Sequence, residues 1–153
     1  MKEEKEYEEK VVQINRVSKK TKGGNRIAFS VLTVAGDKKG KVGVGLGKGD
    51  NVTSAIQKGL RRAKKYMIDV PMRETTIPYL VRVKKGAAEV LLKPAPPGTG
   101  IIAGGAVRVV VEAAGIQNIV AKILGTENKA SNVYATMEAL KRLNQIKIKH
   151  ETQ

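Results

Sequence analysis

Three stretches of this chain carry residue types at spacings suited to chemistry, and in all three the chemistry is the binding of phosphate. The first is GKVGVGLGKGD, residues 40–50, with glycine at every second position from Gly43 to Gly49 and Lys48 among them. Glycine-rich backbone presents N–H groups to an anion, and a lysine neutralises it. A nucleotide-hydrolysing loop needs a glycine, four residues, a second glycine, lysine and then Ser or Thr to hold magnesium. Here Gly47-Lys48 is followed by Gly49, and Val42 stands where the first glycine belongs. Both ends fail, which leaves the phosphate of a nucleic-acid backbone.

The second stretch, GTGIIA at residues 98–103, matches the letters of a dinucleotide-binding fingerprint. That fingerprint works inside a parallel βαβ unit, with an acid about 20 residues on to hold the ribose. Pro96 and Pro97 directly precede it and Glu112 comes too early, so these glycines read as tight packing where a loop enters a helix. The third stretch is the most basic. Arg16, Lys19, Lys20, Lys22 and Arg26 fall within eleven residues around Gly23-Gly24.

Little else could react. There is no cysteine, the one histidine, His150, sits in a lysine-rich tail, and the acids show no spacing suited to a metal. Most nucleophile–base pairs cannot be assembled from such a set. We expect no enzyme, no metal and no cofactor.

Composition points the same way. Lys and Arg number 29 against 14 Asp and Glu, a net charge of +15, and both halves of the chain are basic. Self-repulsion of that size is usually offset by a polyanion. No basic amphipathic helix dominates and no apolar run is long enough to span a bilayer, so a membrane is not the expected partner. The N-terminus, MKEEKEYEEK, is acidic and unlike a signal peptide. Phe29 and four tyrosines are the only aromatics, so the core must be built from Val, Ile, Leu and Ala. So few rings argue against stacking of single-stranded bases, and a structured RNA held by shape and phosphate contacts is expected.

The elements that must position these residues alternate between strands and helices. Residues 1–9 read as a solvated acidic tail, including Glu3, Glu4, Glu6, Glu8 and Glu9. KVVQINRVSK is strand-like, residues 19–25 read as a flexible loop, and RIAFSVLTVAG as a central strand. DKKG is a hairpin turn, with Asp first and Gly last. Val42, Val44 and Leu46 alternate with glycines, so one face of that strand buries branched side chains and the other offers bare backbone to an approaching surface. Asp50 or Asn51 caps a helix over 51–68 whose apolar stripe is Val52, Ile56, Leu60, Ala63 and Met67, with Lys58, Arg61, Arg62 and Lys65 elsewhere on it. After a connector at 69–72 come a hairpin over IPYLVRVKKGAAEVLLK, a Pro/Gly loop over 94–105, a helix near AVRVVVEAA, a strand at NIVAKIL and a helix from Ser131 to Leu143. The closing residues 147–153 read as a basic tail. Both halves are small α+β layers.

Three motifs in order, NRVSKKTKGGNRIAFSVLTVAGD, GKVGVGLGKG with AIQKG, and GTGIIAGGAVR, resemble the S-five family of bacterial-type small-subunit ribosomal proteins. The similarity runs from about residue 10 to 143. It implies an α+β fold: a double-stranded-RNA-binding-like domain over 10–70, with a three-stranded antiparallel sheet plus a helix, then a βαβ-type two-layer sandwich over 71–146. It implies binding of small-subunit rRNA, support of assembly and of translational accuracy beside S-four where mRNA enters, S-eight as another neighbour, and a cytoplasmic or organellar ribosome as location. By position, Asn15, Arg16, Ser18, Lys19, Lys20, Lys22, Gly23, Gly24 and Asn25 form the rRNA-facing loop, and Arg26, Lys48, Lys58 and Arg62, basic residues of the same domain, are expected as further rRNA contacts. Gly100 and Arg108 fall in the family's S-four contact region. Two positions depart from the family pattern. Asn25 stands where an arginine is usual, and Lys129 stands where a proline stiffens the start of the last helix, leaving Ser131 to cap it. Against this stands one rival without enzymatic character, a free-standing double-stranded-RNA-binding regulator.

Overall fold

Two four-stranded sheets, three helices and one continuous apolar core make up the chain, in a computed structural model that describes residues 7–151. Glu3, Glu4 and Glu6 lie outside the described residues, as do the side chains of Lys19 and His150. The first sheet is formed by β1 (Glu8–Thr21), β2 (Gly24–Gly36), β3 (Lys41–Gly49) and the two-residue β4 (Ile68–Asp69), in that spatial order and antiparallel throughout. Helix α1 (Val52–Lys65) packs on one face of it. The second sheet has the order β5 (Val81–Lys85), β6 (Ala88–Pro94), β8 (Ile119–Ile123), β7 (Ile101–Ile102). Its covering helices are α2 (Gly105–Ala114) and α3 (Lys129–Glu151).

The glycine-alternating strand is where the sequence expectation needs correction. Period two holds, but the bare face is turned inward. A Cβ on Gly43, Gly45 or Gly47 would strike the carbonyls of Ala63, Gly59 and Ala55 respectively. Those three helix residues recur every four positions and are the fully buried ones of α1. The surface that approaches the bare backbone is therefore the chain's own helix. The stripe Val52, Ile56 and Leu60 is only half-buried at the margin of this seam, and Met67 lies beyond the helix end. The branched face of the strand, with Val42 and its neighbours Leu32 and Val34 on β2, packs into the common core against Val107, Val110 and Val111 of α2 and Leu140 and Leu143 of α3.

Local chemistry sets most boundaries. Asp37 Oδ1 accepts from the Lys39 and Lys41 amides (2.8 and 3.0 Å), which closes the β2–β3 turn. Asn51 caps α1, its Oδ1 accepting from the Ser54 amide at 2.7 Å. Asn128, not Ser131, caps α3: the Ser131 amide donates to Asn128 Oδ1 (3.1 Å), and the helix begins at Lys129. At its other end α3 continues to Glu151, so residues expected as a tail are helical. Glu8 and Glu9, expected to be solvated, are in β1 and ion-paired to Lys10 and Lys38, and to Lys64.

The loop over 94–105 also contains more order than expected. Ile101 and Ile102 pair in parallel with Ile119 and Val120, so β7, α2 and β8 form a βαβ unit. This parallel unit does not revive the dinucleotide reading. The glycines at 98 and 100 precede β7, whereas a pyrophosphate loop must lie between strand end and helix start.

The two sheets also share hydrogen bonds. The β2–β3 turn reaches the end of α2, where the Lys38 amide donates to the Ala113 carbonyl (3.0 Å) and the Gly40 amide to that of Ala114 (2.9 Å). Gly36 and Gly115 leave no room for a Cβ at this junction, and Gly115 has φ +94°.

Candidate nucleic-acid interface

The lysine-rich stretch is not a loop. β1 and β2 stay paired through Asn15↔Ser30, Arg16↔Phe29, Ser18↔Ile27, Lys20↔Asn25 and Thr21↔Gly24, and only Lys22 and Gly23 remain as the turn. Gly24 at φ +123° makes the reversal possible, and the Thr21 hydroxyl donates across it to the Gly24 carbonyl (2.8 Å). β3 ends at Gly49, opposite Phe29, so from there outward the two strands run as a ribbon without a third partner. Side chains along it alternate: Arg16, Ser18 and Lys20 stand on one face, Asn15, Val17 and Thr21 on the other. Among the described side chains, Asn15, Arg16, Ser18, Lys20, Lys22, Asn25 and Arg26 are exposed, and residues 10–36 hold no acid.

At the base of the ribbon the end of β3 and the start of α1 enclose a cleft of about 370 Å³. Lys48 and Lys58 line it, with Val17, Ser30, Asn51 and Ser54. Ser30 is registered directly opposite Lys48, which brings the ribbon and the glycine strand to one wall. The first turn of α1 contains no acid, so its partial positive charge adds to the two ammonium groups, offset by the Asp50 carboxylate that also lines the cleft. Arg26 reaches Asp50 at 3.7 Å across the open side. Arg62 is held differently: its Nη1 donates to the Leu46 carbonyl (3.0 Å) on the edge of β3 that β4 does not cover. Arg26 of the ribbon, Lys48 of the strand and Lys58 of the helix thus meet around this cleft, while Arg16 and Lys20 stand on the ribbon's other face.

Sequence profiles described as "Ribosomal protein S5, N-terminal domain" and "Ribosomal protein S5, C-terminal domain" match residues 7–71 and 83–152. The chain belongs to the ribosomal protein S5 family. Relatives each called "Small ribosomal subunit protein uS5" agree. That of Thermotoga maritima is 52% identical over 138 residues, 90% of this chain and 78% of the relative. That of Salinibacter ruber is 52% identical over 139 residues (91% and 79%), and that of Synechococcus elongatus 47% over 141 (92% and 78%). The family's division into an antiparallel sheet with a helix and a second sheet–helix layer is the architecture observed.

Gly100 and Arg108 belong to the second layer, on elements other than those of the ribbon and cleft. Gly100 has φ +75°, donates to Asn118 Oδ1 (2.9 Å) and accepts from the Ile119 amide (3.1 Å), so it joins the loop to the start of β8. Arg108 Nε donates to Glu112 Oε1 at 2.8 Å, one turn along α2. The other oxygen of Glu112 accepts from Lys10 Nζ (3.1 Å), which ties α2 to β1. These bonds hold the Glu112 carboxyl below the usual carboxylate range, Arg108 contributing most and Lys10 next. The hydrogen bond to Glu112 in turn raises the Lys10 ammonium above its ordinary value.

Sequence reasoning missed Ser30, Asn51 and Ser54 as members of the cleft. Asn51 was legible as a cap, but its place in the cleft depends on where β3 stops relative to β2. That register is a long-range property.

Proposed function

We propose that this chain is a non-catalytic structural constituent of the small ribosomal subunit, which holds small-subunit rRNA by its β1–β2 ribbon and the adjoining cleft. The observation that carries this reading is the acid-free ribbon, whose Arg26 reaches the edge of the cleft formed by Lys48, Lys58 and the α1 N-terminus. A two-stranded ribbon with a basic cleft at its base suits RNA read by shape and phosphate position. Counterions released by Lys and Arg drive the association, so affinity falls steeply with salt. The family relationship supports the cytoplasmic ribosome as the location. It also supports roles in subunit assembly and translational accuracy, with Gly100 and Arg108 facing S-four near the path of incoming mRNA and S-eight as a second protein neighbour.

The test is filter binding of an in vitro transcribed small-subunit rRNA across a salt series, with the variant R16A/K20A/K22A/R26A beside the unaltered chain. Each lost phosphate contact should lower the slope of log affinity against log salt by about 0.7–0.9, so the four together lower it by about 3. An unchanged slope refutes the placement of RNA on the ribbon.

A further inference from the structure

The cleft at the base of the ribbon contains more than a phosphate requires. Lys48 and Lys58 satisfy an anion, but the same walls carry the ring of Phe29, the aliphatic side chains of Val17 and Ala28, and the carboxylate of Asp50. Phe29 is the only phenylalanine of the chain and is half-buried at this wall. Apolar surface does nothing for a phosphate, and an acid beside it repels it. A cleft of about 370 Å³ also falls within the range of sites for small organic groups, about 300–1,000 Å³.

A nucleobase has the matching needs: a flat face to stack on an apolar wall, and donors and acceptors around its rim. One ring makes no platform for a single strand, but it suffices for one base. At the mouth, Asn51 Oδ1 is engaged by the Ser54 amide (2.7 Å), which leaves the Asn51 NH2 group as a donor. Asp50 has a side chain 77% exposed, and its ion pair with Arg26, at 3.7 Å, is long and solvated. Both oxygens of this carboxylate are open to a partner with two donors side by side. Among the four RNA bases only guanine has such an edge, N1–H next to N2–H, with the acceptor O6 beyond it for a lysine or the Asn51 amide. Adenine, cytosine and uracil offer a single donor group there, next to acceptors. A duplex keeps that edge paired, so the base that enters must be unpaired and turned out of its stack.

We propose that the cleft takes one unpaired guanine of the bound RNA, with the base against Phe29, N1–H and N2–H donating to the Asp50 carboxylate, and the phosphate of that nucleotide held by Lys48 and Lys58. This rests on the reading of the chain as an rRNA-binding protein. It adds recognition of one base to a surface that otherwise reads the positions of phosphates.

Asp50→Asn separates a guanine cleft from a phosphate-only cleft by the sign of its effect. The Asp50 side chain makes no hydrogen bond among the described residues, and α1 is capped by Asn51, so the fold is untouched. Where only phosphate is held, loss of a negative charge strengthens binding. Where guanine is held, asparagine sets a donor against a donor, and affinity for the rRNA transcript at fixed salt should fall about 5–150-fold, the range of one bidentate base contact. Kethoxal, which adds to N1 and N2 of unpaired guanines, maps the base. One guanine reactive in the free transcript should be protected by the unaltered chain and reactive again with D50N. Changing that guanine to adenine should weaken the unaltered chain to a similar extent and D50N hardly at all. If D50N binds as tightly as the unaltered chain or more tightly, with the same guanines protected, Asp50 reads no base and the proposal falls. The salt slope of R16A/K20A/K22A/R26A reports the ribbon separately, so a lowered slope there leaves the rRNA reading standing in that case. If the ribbon variant keeps its slope while D50N loses the guanine, the placement on the ribbon fails and the guanine cleft stands.

Discussion

Replacing Gly47 by alanine places one methyl group against two backbone segments of α1. The new Cβ would collide with the Ala55 carbonyl and lie too close to the Gly59 amide and Cα. No flexible side chain is available to swing aside. The helix must lift or tilt, and the whole seam of Gly43, Gly45 and Gly47 against Ala55, Gly59 and Ala63 opens with it. Overpacking of this kind costs about 1–3 kcal/mol, and a gap of about 0.5–1 Å forfeits a quarter to a half of the dispersion energy along it. Alanine also stiffens the unfolded chain, which returns about 0.4–1 kcal/mol. A net loss of about 1–2 kcal/mol follows, or a drop in melting temperature of roughly 2–8 °C at this chain length. Calorimetry and urea unfolding of the full chain measure it. Gly23→Ala is the internal control, since nothing lies within 4 Å of its Cβ and its φ is outside the left-handed region. That variant should match the original or gain up to about 1 kcal/mol from its stiffer unfolded chain. Equal stability of Gly47→Ala and Gly23→Ala would refute the seam.

Three further outcomes follow from other bonds. Asn51→Ala removes the acceptor of the Ser54 amide and should cost about 1 kcal/mol in urea unfolding. It should also weaken RNA binding, since Asn51 lines the cleft. Because the Glu112 carboxyl is held below its usual range by Arg108 and then Lys10, its pairing contributes stability at pH values above the unfolded pKa of about 4.3. That contribution is lost as pH falls through the lower folded value, so Glu112→Gln should flatten the acid limb of urea midpoints measured from pH 3 to 7. For Lys10 the sign is reversed, since its pKa is raised. Its contribution is complete below about pH 10.4 and is lost as pH climbs through the folded value.

Where a regular period was present, the sequence was sufficient. Val42, Val44 and Leu46 specify β3, and Asn51 specifies the start of α1. The glycine face was ambiguous because bare backbone serves a ligand and a close-packed helix equally well. The deciding signal was the matching series Ala55, Gly59 and Ala63, small residues four apart on the next element. The outer end of the ribbon, residues 19–25, was illegible for the opposite reason. Lys, Thr and Gly carry no alternation, and the strands there are held by cross-strand backbone bonds that no residue type announces. β4 and β7, at two residues each, are too short to hold a period at all.

The junction at Lys38 and Gly40 bears on how the chain comes apart. The last carbonyls of a helix require donors, and for α2 two of them are supplied from the β2–β3 turn, some 75 positions earlier in sequence. A fragment holding only the second sheet would expose those carbonyls to solvent together with the apolar side of α2 that faces Leu32, Val34 and Val42. A fragment holding only the first sheet would bare the same three residues. Two separately matched family segments are here one cooperative unit, and the intact chain should melt in a single transition, with amide exchange at Lys38 and Gly40 as slow as in the centre of either sheet.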